Sequence, residues 1–265
     1  MHLQKRRKQT NSIVVFAASL CCILIATLQT NEIRRSKNSI QLQSDTHINA
    51  VGLKKRLIVL RNSPTFGFRN LLAGGTFLNF LQYFSDTLTH PDNSESLSPD
   101  FFDTILTFEP FYTPYYLFLS TSTTFHAAQP EKTVELMNRS LKQIEPTLVS
   151  DSFYIWRYKG IDELLFLGNG KAAQKSFETA ASWAAQSDHP DSDSIEKASR
   201  QTAEFLAQNP ESETAQIQAW GSVLASAINQ TTRQQAISQI EKLGGKVTIT
   251  ETEQFIVEFA SKDSR

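Results

Sequence analysis

The sequence has few residues that can bind a metal or form a disulfide. Its only two cysteines, Cys21 and Cys22, are neighbours within an apolar N-terminal run. The rest of the chain therefore has no disulfide, no thiolate nucleophile and no cysteine metal ligand. The five histidines are scattered, and no two have the spacing that places side chains on one face of a helix. We expect neither a metal site nor a bound cofactor.

The sequence also lacks an excess of charge of either sign. Its 26 lysines and arginines nearly balance 27 aspartates and glutamates, for a formal net charge of −1 at pH 7. Because nucleic-acid binding relies on a basic surface, we expect no nucleic acid as a partner. The length of 265 residues suits one main domain of ordinary size.

The apolar N-terminal run, residues 12–30, predicts a transmembrane anchor. It is uncharged and lies between two basic clusters. At a rise of about 1.5 Å per residue, a helix of this length spans about 29 Å, close to the roughly 30 Å of a bilayer's hydrocarbon core. The alternative is a secretory signal peptide, but Leu28 and Gln29 stand where the small residues of a cleavage site are expected.

The basic residues around this run predict its orientation. Four precede the run and three follow it, so the bias favours an N-terminus inside and an extracytoplasmic soluble domain. We therefore divide the chain into a basic tail (1–11), the anchor (12–30), a polar linker (31–52) and a helical domain (53–262).

The helical domain is predicted from apolar residues that recur at helical spacing. Several segments begin with a capping residue or a first-turn proline, at Ser98-Pro99, Thr113-Pro114, Gln129-Pro130 and Thr231. The expected fold class is all-α. Two short C-terminal segments, 246–250 and 255–259, are compatible with a hairpin or with one more helix. The predicted helices are 68–84, 99–107, 113–127, 130–144, 152–167, 170–186, 193–208, 212–228 and 231–242.

Two features of the sequence indicate a helical repeat. "FEP" at 108–110 recurs 36 residues later as "IEP" at 144–146. In "LGNGKAAQKSFETA", Ala173, Phe177 and Ala180 follow one another at helical spacing as small, large and small residues. The small side chains allow a neighbouring helix to approach closely, and the aromatic ring fills the groove between hairpins.

This pattern resembles the tetratricopeptide repeat family over about residues 98–186. Gly168 and the three residues just named match the second helix of the family. Trp156 and Gly160 match its first helix, and Pro110 and Pro146 match its closing proline. The resemblance implies a solenoid of stacked helical hairpins that follows the transmembrane helix.

The turn "LGNGKA" does not have the spacing of a phosphate-binding loop. Such a loop needs two glycines five residues apart before Lys-Ser or Lys-Thr, so that several backbone amides converge on one anion. Here Gly168 and Gly170 are too close together, and Ala172 follows Lys171. We expect an ordinary turn between two helices, with Lys171 exposed to solvent.

The segment "WRYKGIDELLF" is the densest polar and aromatic cluster in the chain. Two carboxylates can act as an acid and a base, but Asp162 and Glu163 are neighbours and point about 100° apart on a helix. We therefore expect a solvated face or an ion pair within the hairpin.

Because no set of catalytic residues converges in the sequence, we expect a protein that binds rather than catalyses. The expected role is a membrane-anchored scaffold or assembly factor. Its partners would be proteins of a membrane complex, and residues 12–30 would contact the lipid bilayer. In the tetratricopeptide repeat family, first-helix residues line the binding surface. The resemblance therefore implies a partner contact at Tyr116, Thr123, His126, Tyr154 and Arg157.

The alternative is an envelope enzyme with a polar cleft between the helices predicted at 113–127 and 152–167. This hypothesis requires Arg157, Asp162 and His126 to face one cleft, with a perturbed pKa among them.

Overall fold

The computed structural model describes residues 46–89, 95–210, 213–227, 229–249 and 255–259. The predicted basic tail, the anchor and the linker up to residue 45 lie outside these ranges, so the anchor stays a prediction. Contacts between residues divide the chain into residues 1–49 and a compact unit from Ala50 onward. The fold is that of the second unit. Within the described ranges no helix is both long enough and apolar enough to cross a bilayer.

The described part of the chain is mostly helical, which confirms the all-α expectation apart from one short hairpin. A π-helix, Ser120–His126, continues directly from the fourth α-helix, and we call it the π segment. The two strands are β1 (Gly245–Ile249) and β2 (Phe255–Phe259). The helices are α1 (Thr46–Arg61), α2 (Arg69–Thr89), α3 (Ser98–Phe108), α4 (Pro114–Leu119), α5 (Pro130–Leu141), α6 (Phe153–Leu165), α7 (Gly170–Ala184), α8 (Ser192–Gln208), α9 (Glu213–Ser226) and α10 (Gln230–Lys242).

The nine predicted helices all appear within a few residues of their expected bounds, but α1 was not predicted. The linker expected to reach residue 52 is therefore wrong at its end, because the helix begins at Thr46. Leu53, Leu57 and Leu60 recur at helical spacing and pack against the apolar core that α2 to α6 form. This short apolar stripe was the signal that could have identified α1.

Most of the predicted helix starts are confirmed. Pro99, Pro114 and Pro130 each occupy the first turn of a helix. Proline has no amide hydrogen, and in the first turn an amide hydrogen has no hydrogen-bond acceptor within the helix. The cap expected at Thr231 is wrong. Asn229 caps α10 instead, since its side chain accepts a hydrogen bond from the Thr232 amide at 2.8 Å.

The two C-terminal segments form an antiparallel hairpin rather than another helix. Val247 lies opposite Val257 in the register. Both valines are partly buried against the core formed by α9 and α10. In β1 the apolar Val247 and Ile249 alternate with the polar Lys246 and Thr248, a pattern that suits a strand with one covered face.

The first core lies among α2, α3, α4, α5 and α6 and is rich in aromatic rings. The rings of Phe80 and Phe102 are both fully buried, with centroids 4.7 Å apart in an edge-to-face arrangement. Helix α1 joins this core through Leu57 and through ion pairs at its surface. Arg61 pairs with Asp103 of α3, and Lys54 pairs with Asp100 at 3.2 Å.

The packing predicted for "LGNGKAAQKSFETA" is confirmed. Ala173, Phe177 and Ala180 are all buried on one face of α7. Gly168 has a φ of +64°, a backbone conformation that glycine adopts without strain, and it sets the turn before this helix. Lys171 is exposed, as expected.

The close approach of α6 and α7 depends on Gly160. A Cβ added at this position would lie 3.0 Å from the ring of Phe177, closer than ordinary van der Waals contact. The aromatic ring thus occupies the space that a side chain on α6 would need, and the two helices pack tightly as a pair.

We predict that Gly160→Ala lowers the free energy of unfolding by about 1–3 kcal/mol, because the Phe177 ring must move in a packed interior. Gly52→Ala in α1 is the matched control, since no atom lies within 4 Å of its added Cβ. That control should leave stability unchanged or raise it by up to about 1 kcal/mol. Urea denaturation followed by circular dichroism measures both. Equal effects of the two substitutions would contradict the proposed contact.

Candidate functional site

The π segment is the most unusual piece of backbone next to the predicted site. Its sequence, "STSTTFH", is rich in hydroxyl and β-branched residues, which are weak helix formers. The Ala127 amide donates to the Ser122 carbonyl five residues earlier at 3.0 Å, and the chain leaves the helix at Ala128 with a φ of +55°. Because π-helical turns are rare and often occur at functional sites, the side chains around this segment are candidates for a functional role.

Asp162 of α6 is fully buried against the π segment. The Ser120 hydroxyl donates to its Oδ1 at 3.0 Å, whereas its Oδ2 has no hydrogen-bond partner among the described residues. Burial raises the pKa of Asp162 to about 7, although hydrogen bonds with Ser120 and Thr124 act in the opposite direction. This carboxyl group therefore exchanges its proton near neutral pH.

A second buried polar group joins α6 to α7. The Lys159 ammonium donates to Glu163 Oε1 at 2.5 Å and to the Ser176 hydroxyl at 2.9 Å. Ser176 in turn donates to Glu163 Oε2 at 2.6 Å. The charges of the lysine and the glutamate are thus paired and hydrogen-bonded away from water.

These contacts decide the two alternatives for the neighbouring carboxylates. The ion pair expected within the hairpin is confirmed for Glu163, which pairs with Lys159 of the same helix. The expectation is wrong for Asp162, which neither faces solvent nor pairs with a cation but contacts the hydroxyls of the π segment.

Tyr154 and Arg157 lie one turn apart on a partly exposed face of α6. The Tyr154 hydroxyl donates to Asp191 at 3.0 Å, and its ring stacks on Tyr158 at a centroid distance of 6.2 Å. Arg157 donates to the Ser199 hydroxyl of α8 at 2.7 Å. Both side chains are therefore partly exposed and held in place by a hydrogen bond.

Two other residues of the predicted partner surface are interior residues, which corrects the expectation. Tyr116 and Thr123 both have a relative exposure of 0%. The Tyr116 hydroxyl donates to the Pro110 carbonyl at 2.6 Å, and burial raises its pKa. In this conformation neither side chain can contact a partner, because α3, α5 and α6 pack against this part of α4 and of the π segment.

His126, the remaining residue of the predicted partner surface, lies apart from the partly exposed face of α6. Its ring packs edge-to-face against Phe84 and Phe125, with centroid distances of 5.1 and 5.4 Å. Burial lowers the pKa of His126, so the neutral imidazole is favoured at neutral pH. The Thr232 hydroxyl donates to its backbone carbonyl at 3.0 Å, which ties the end of the π segment to α10.

The cleft required by the enzyme hypothesis is not formed by its three residues. Arg157 turns toward α7 and α8, where its guanidinium lies 6.0 Å from the centroid of the Phe177 ring. Asp162 turns toward the π segment and is sealed from solvent, while His126 packs against α2. The Asp162 carboxyl group can hold and release a proton, but it cannot touch a substrate in this conformation.

Metal binding finds no support in the described ranges, where no three histidine, cysteine, aspartate or glutamate side chains come together. The sequence predicted the buried polar groups of α6 only in part. Lys159 and Glu163 have the spacing of an ion pair within a helix, whereas Ser176 joins them only through the packing of α7. The burial of Asp162 had one indirect signal, the run of hydroxyl residues in "STSTT" that supplies its partners.

We predict that the protein loses stability as the pH rises from about 4 to about 7. The unfolded chain releases the Asp162 proton near the ordinary value of 3.8, while the folded chain keeps it until about 7. The folded state therefore binds more protons in this interval, and the free energy of unfolding should fall by about 3 kcal/mol between pH 4 and pH 7 through this group.

Asp162→Asn should remove this part of the pH dependence, since an amide stays neutral throughout. Asp188→Asn, at an exposed aspartate, should retain the behaviour of the wild type. Thermal unfolding at several pH values, followed by tryptophan fluorescence, makes the comparison. Parallel pH profiles for wild type and Asp162→Asn would contradict the assignment.

We predict that Glu163→Leu lowers the free energy of unfolding by about 3–5 kcal/mol, because it leaves the Lys159 ammonium buried without a counter-charge. The double variant Lys159→Met/Glu163→Leu should recover at least about half of this loss. Glu135→Leu is the matched control, as it breaks the exposed pair with Lys132 and should change stability by less than about 0.5 kcal/mol. If the double variant is less stable than Glu163→Leu, the pairing argument fails.

Comparison with known proteins gives no relative for this chain. No family model matches the sequence, and no curated protein or solved structure is significantly similar to it. The function proposed below therefore depends on the geometry of this chain and on the residue patterns of its sequence.

Proposed function

We propose that the protein is a membrane-anchored scaffold or assembly factor that binds a protein of a membrane complex and has no catalytic activity of its own. In this proposal residues 12–30 cross the bilayer, the N-terminus lies inside, and the helical domain is extracytoplasmic. The domain binds its partner as a stack of hairpins of the tetratricopeptide repeat type.

One observation carries the proposal: Tyr154 and Arg157 are partly exposed and already fixed in position on the same face of α6. Tyrosine and arginine are over-represented among residues that dominate binding energy at protein interfaces. A side chain that is already ordered loses little conformational entropy on binding, so such a surface is well suited to a partner.

The arrangement of the neighbouring helices supports the same proposal. Helices α6, α7 and α8 pack pairwise in sequence order. The short turn at Gly168 joins the first two, and the Gly160 contact with Phe177 brings them together. Successive antiparallel helices of this kind present a row of side chains from alternate helices, and Tyr158 and Ile161 extend the row on α6.

We predict that the full-length chain, tagged and purified from detergent-solubilised membranes, co-purifies with a membrane protein in stoichiometric amount. Tyr154→Ala/Arg157→Ala should reduce the bound partner at least about tenfold, because it removes both ordered side chains. Tyr112→Ala/Lys175→Ala is the matched control, since both side chains are exposed elsewhere.

Each outcome of this experiment has a distinct meaning. Loss of the partner in the first variant alone supports the proposed surface. Equal recovery of the partner with both variants would show that binding uses another surface. The absence of any stoichiometric partner with the wild-type chain would overturn the scaffold function itself. Circular dichroism of each variant checks that the domain remains folded.

A further inference from the structure

Helix α2 carries a second apolar stripe, on the side away from the core. Its positions 71, 74, 78, 81, 85 and 88 alternate in steps of three and four residues, the spacing of the a and d positions in a coiled coil. Four of the six are leucines that remain exposed in the structure, with relative exposures of 71% for Leu71, 68% for Leu78, 36% for Leu81 and 38% for Leu88.

The opposite face of α2 is already used by the core. Ala73, Thr76 and Phe80 are buried there, and one buried face is sufficient to hold a helix on a globular domain. The outer face of such a helix is normally polar, but here it repeats leucine along about 26 Å of helix. An apolar stripe of this kind on a second face indicates a second helix as its neighbour.

The stripe and its borders carry no charge. From Asn70 to Thr89 the sequence has one charged residue, Asp86, which points about 100° away from Ser85 of the stripe. In coiled coils the flanking positions select a partner by charge, and here Gly75, Phe77, Gln82 and Phe84 occupy them. In a symmetric dimer each such residue faces a copy of the same surface, so a neutral border allows two identical helices to meet without repulsion.

The shape of the stripe permits close contact between helices. At Gly74 no atom lies within 4 Å of the place where a Cβ would be, and Ser85 is also small. A partner helix can therefore approach closely at these two positions, between the pairs of leucines.

Helix α4 widens the same surface beside α2. The Phe118 ring packs edge-to-face on Phe77 at a centroid distance of 5.0 Å. Phe118 and the neighbouring Leu117 remain 41% and 48% exposed. The α2 face alone covers roughly 260 Å², taken as about 26 by 10 Å, while a standard interface buries about 800 Å² per partner. The contribution of α4 brings the contact closer to that size.

We propose that the outer face of α2 is a dimer interface, on which α2 of a second copy of this chain packs along the leucine stripe. Two copies then bury the exposed leucines in a shallow helix crossing, flanked by Leu117 and Phe118 of each copy. Interfaces of this modest size are typical of weak association, and we expect a dissociation constant on the order of 10 µM.

Sedimentation velocity of the full-length chain in a mild detergent, between 1 and 100 µM, tests the proposal. The wild type should change from monomer to dimer over this range. Leu78→Glu should raise the dissociation constant by about 100-fold, because two glutamates would be buried in each dimer. Asn79→Glu is the matched control: it adds the same charge one residue further along, about 100° away from the stripe, and should dimerise like the wild type.

A second measurement in native membranes keeps the test independent of detergent. In a Cys21→Ser/Cys22→Ser background, Leu78→Cys should be joined to a second copy by a short bis-maleimide, whereas Lys175→Cys on α7 should not.

Three results would overturn the proposal. The first is a wild-type chain that stays monomeric at 100 µM and is not cross-linked in membranes. The second is a dimer that Leu78→Glu leaves intact, which would place the contact elsewhere, for example in residues 12–30. The third is a different protein that binds in stoichiometric amount and is lost with Leu78→Glu, which would identify the stripe as a docking site for that partner.

Discussion

Lys159, Glu163 and Ser176 form a closed set of hydrogen bonds between α6 and α7. Helix α6 also packs against α4, the π segment, α5 and α9, and Lys159, Asp162 and Glu163 are buried. Burial of a charge without a partner costs free energy. Helix α7 must therefore lie where Ser176 can complete the hydrogen bonds of Lys159 and Glu163. Gly160 allows the required approach by leaving room for the Phe177 ring.

The polar residues of α6 fall into two groups, one that faces the interior and one that faces outward. Those that face the interior, Asp162 among them, are held by hydroxyls or by an opposite charge. Those that face outward, Tyr154 and Arg157, are held by single hydrogen bonds and remain accessible. Helix α6 thus carries both a buried carboxyl group and a partly exposed face on which the side chains are hydrogen-bonded.

The apolar surface of α2 lies in a different part of the domain. Of the 17 large apolar side chains that are exposed among the described residues, 13 belong to residues 51–118. A monomeric soluble protein rarely exposes apolar side chains in such concentration, because each costs free energy in water. The two proposed surfaces therefore differ in chemistry, one polar and aromatic on α6 and one aliphatic on α2, and they can serve different partners.

Local patterns in the sequence predicted most of the helices but only part of the candidate site. Pro99, Pro114 and Pro130 act within their own turns, so their effect on helix starts could be read from neighbouring residues. The exposure of Tyr116 could not be read in this way. Its spacing places it on the first helix of a hairpin, but α3, α5 and α6 pack around that position. Tyr154 is partly exposed, and its role in partner binding stays a prediction.

The sequence by itself determined the all-α class, the positions of nine helices and the packing face of α7, since these follow from periodicity over a few turns. Only the tertiary structure decided which polar side chains are removed from water. Asp162 meets Ser120 across 42 residues, and Thr232 meets His126 across 106. The burial and the pKa of a side chain depend on such distant neighbours, whereas helix formation depends mainly on near ones.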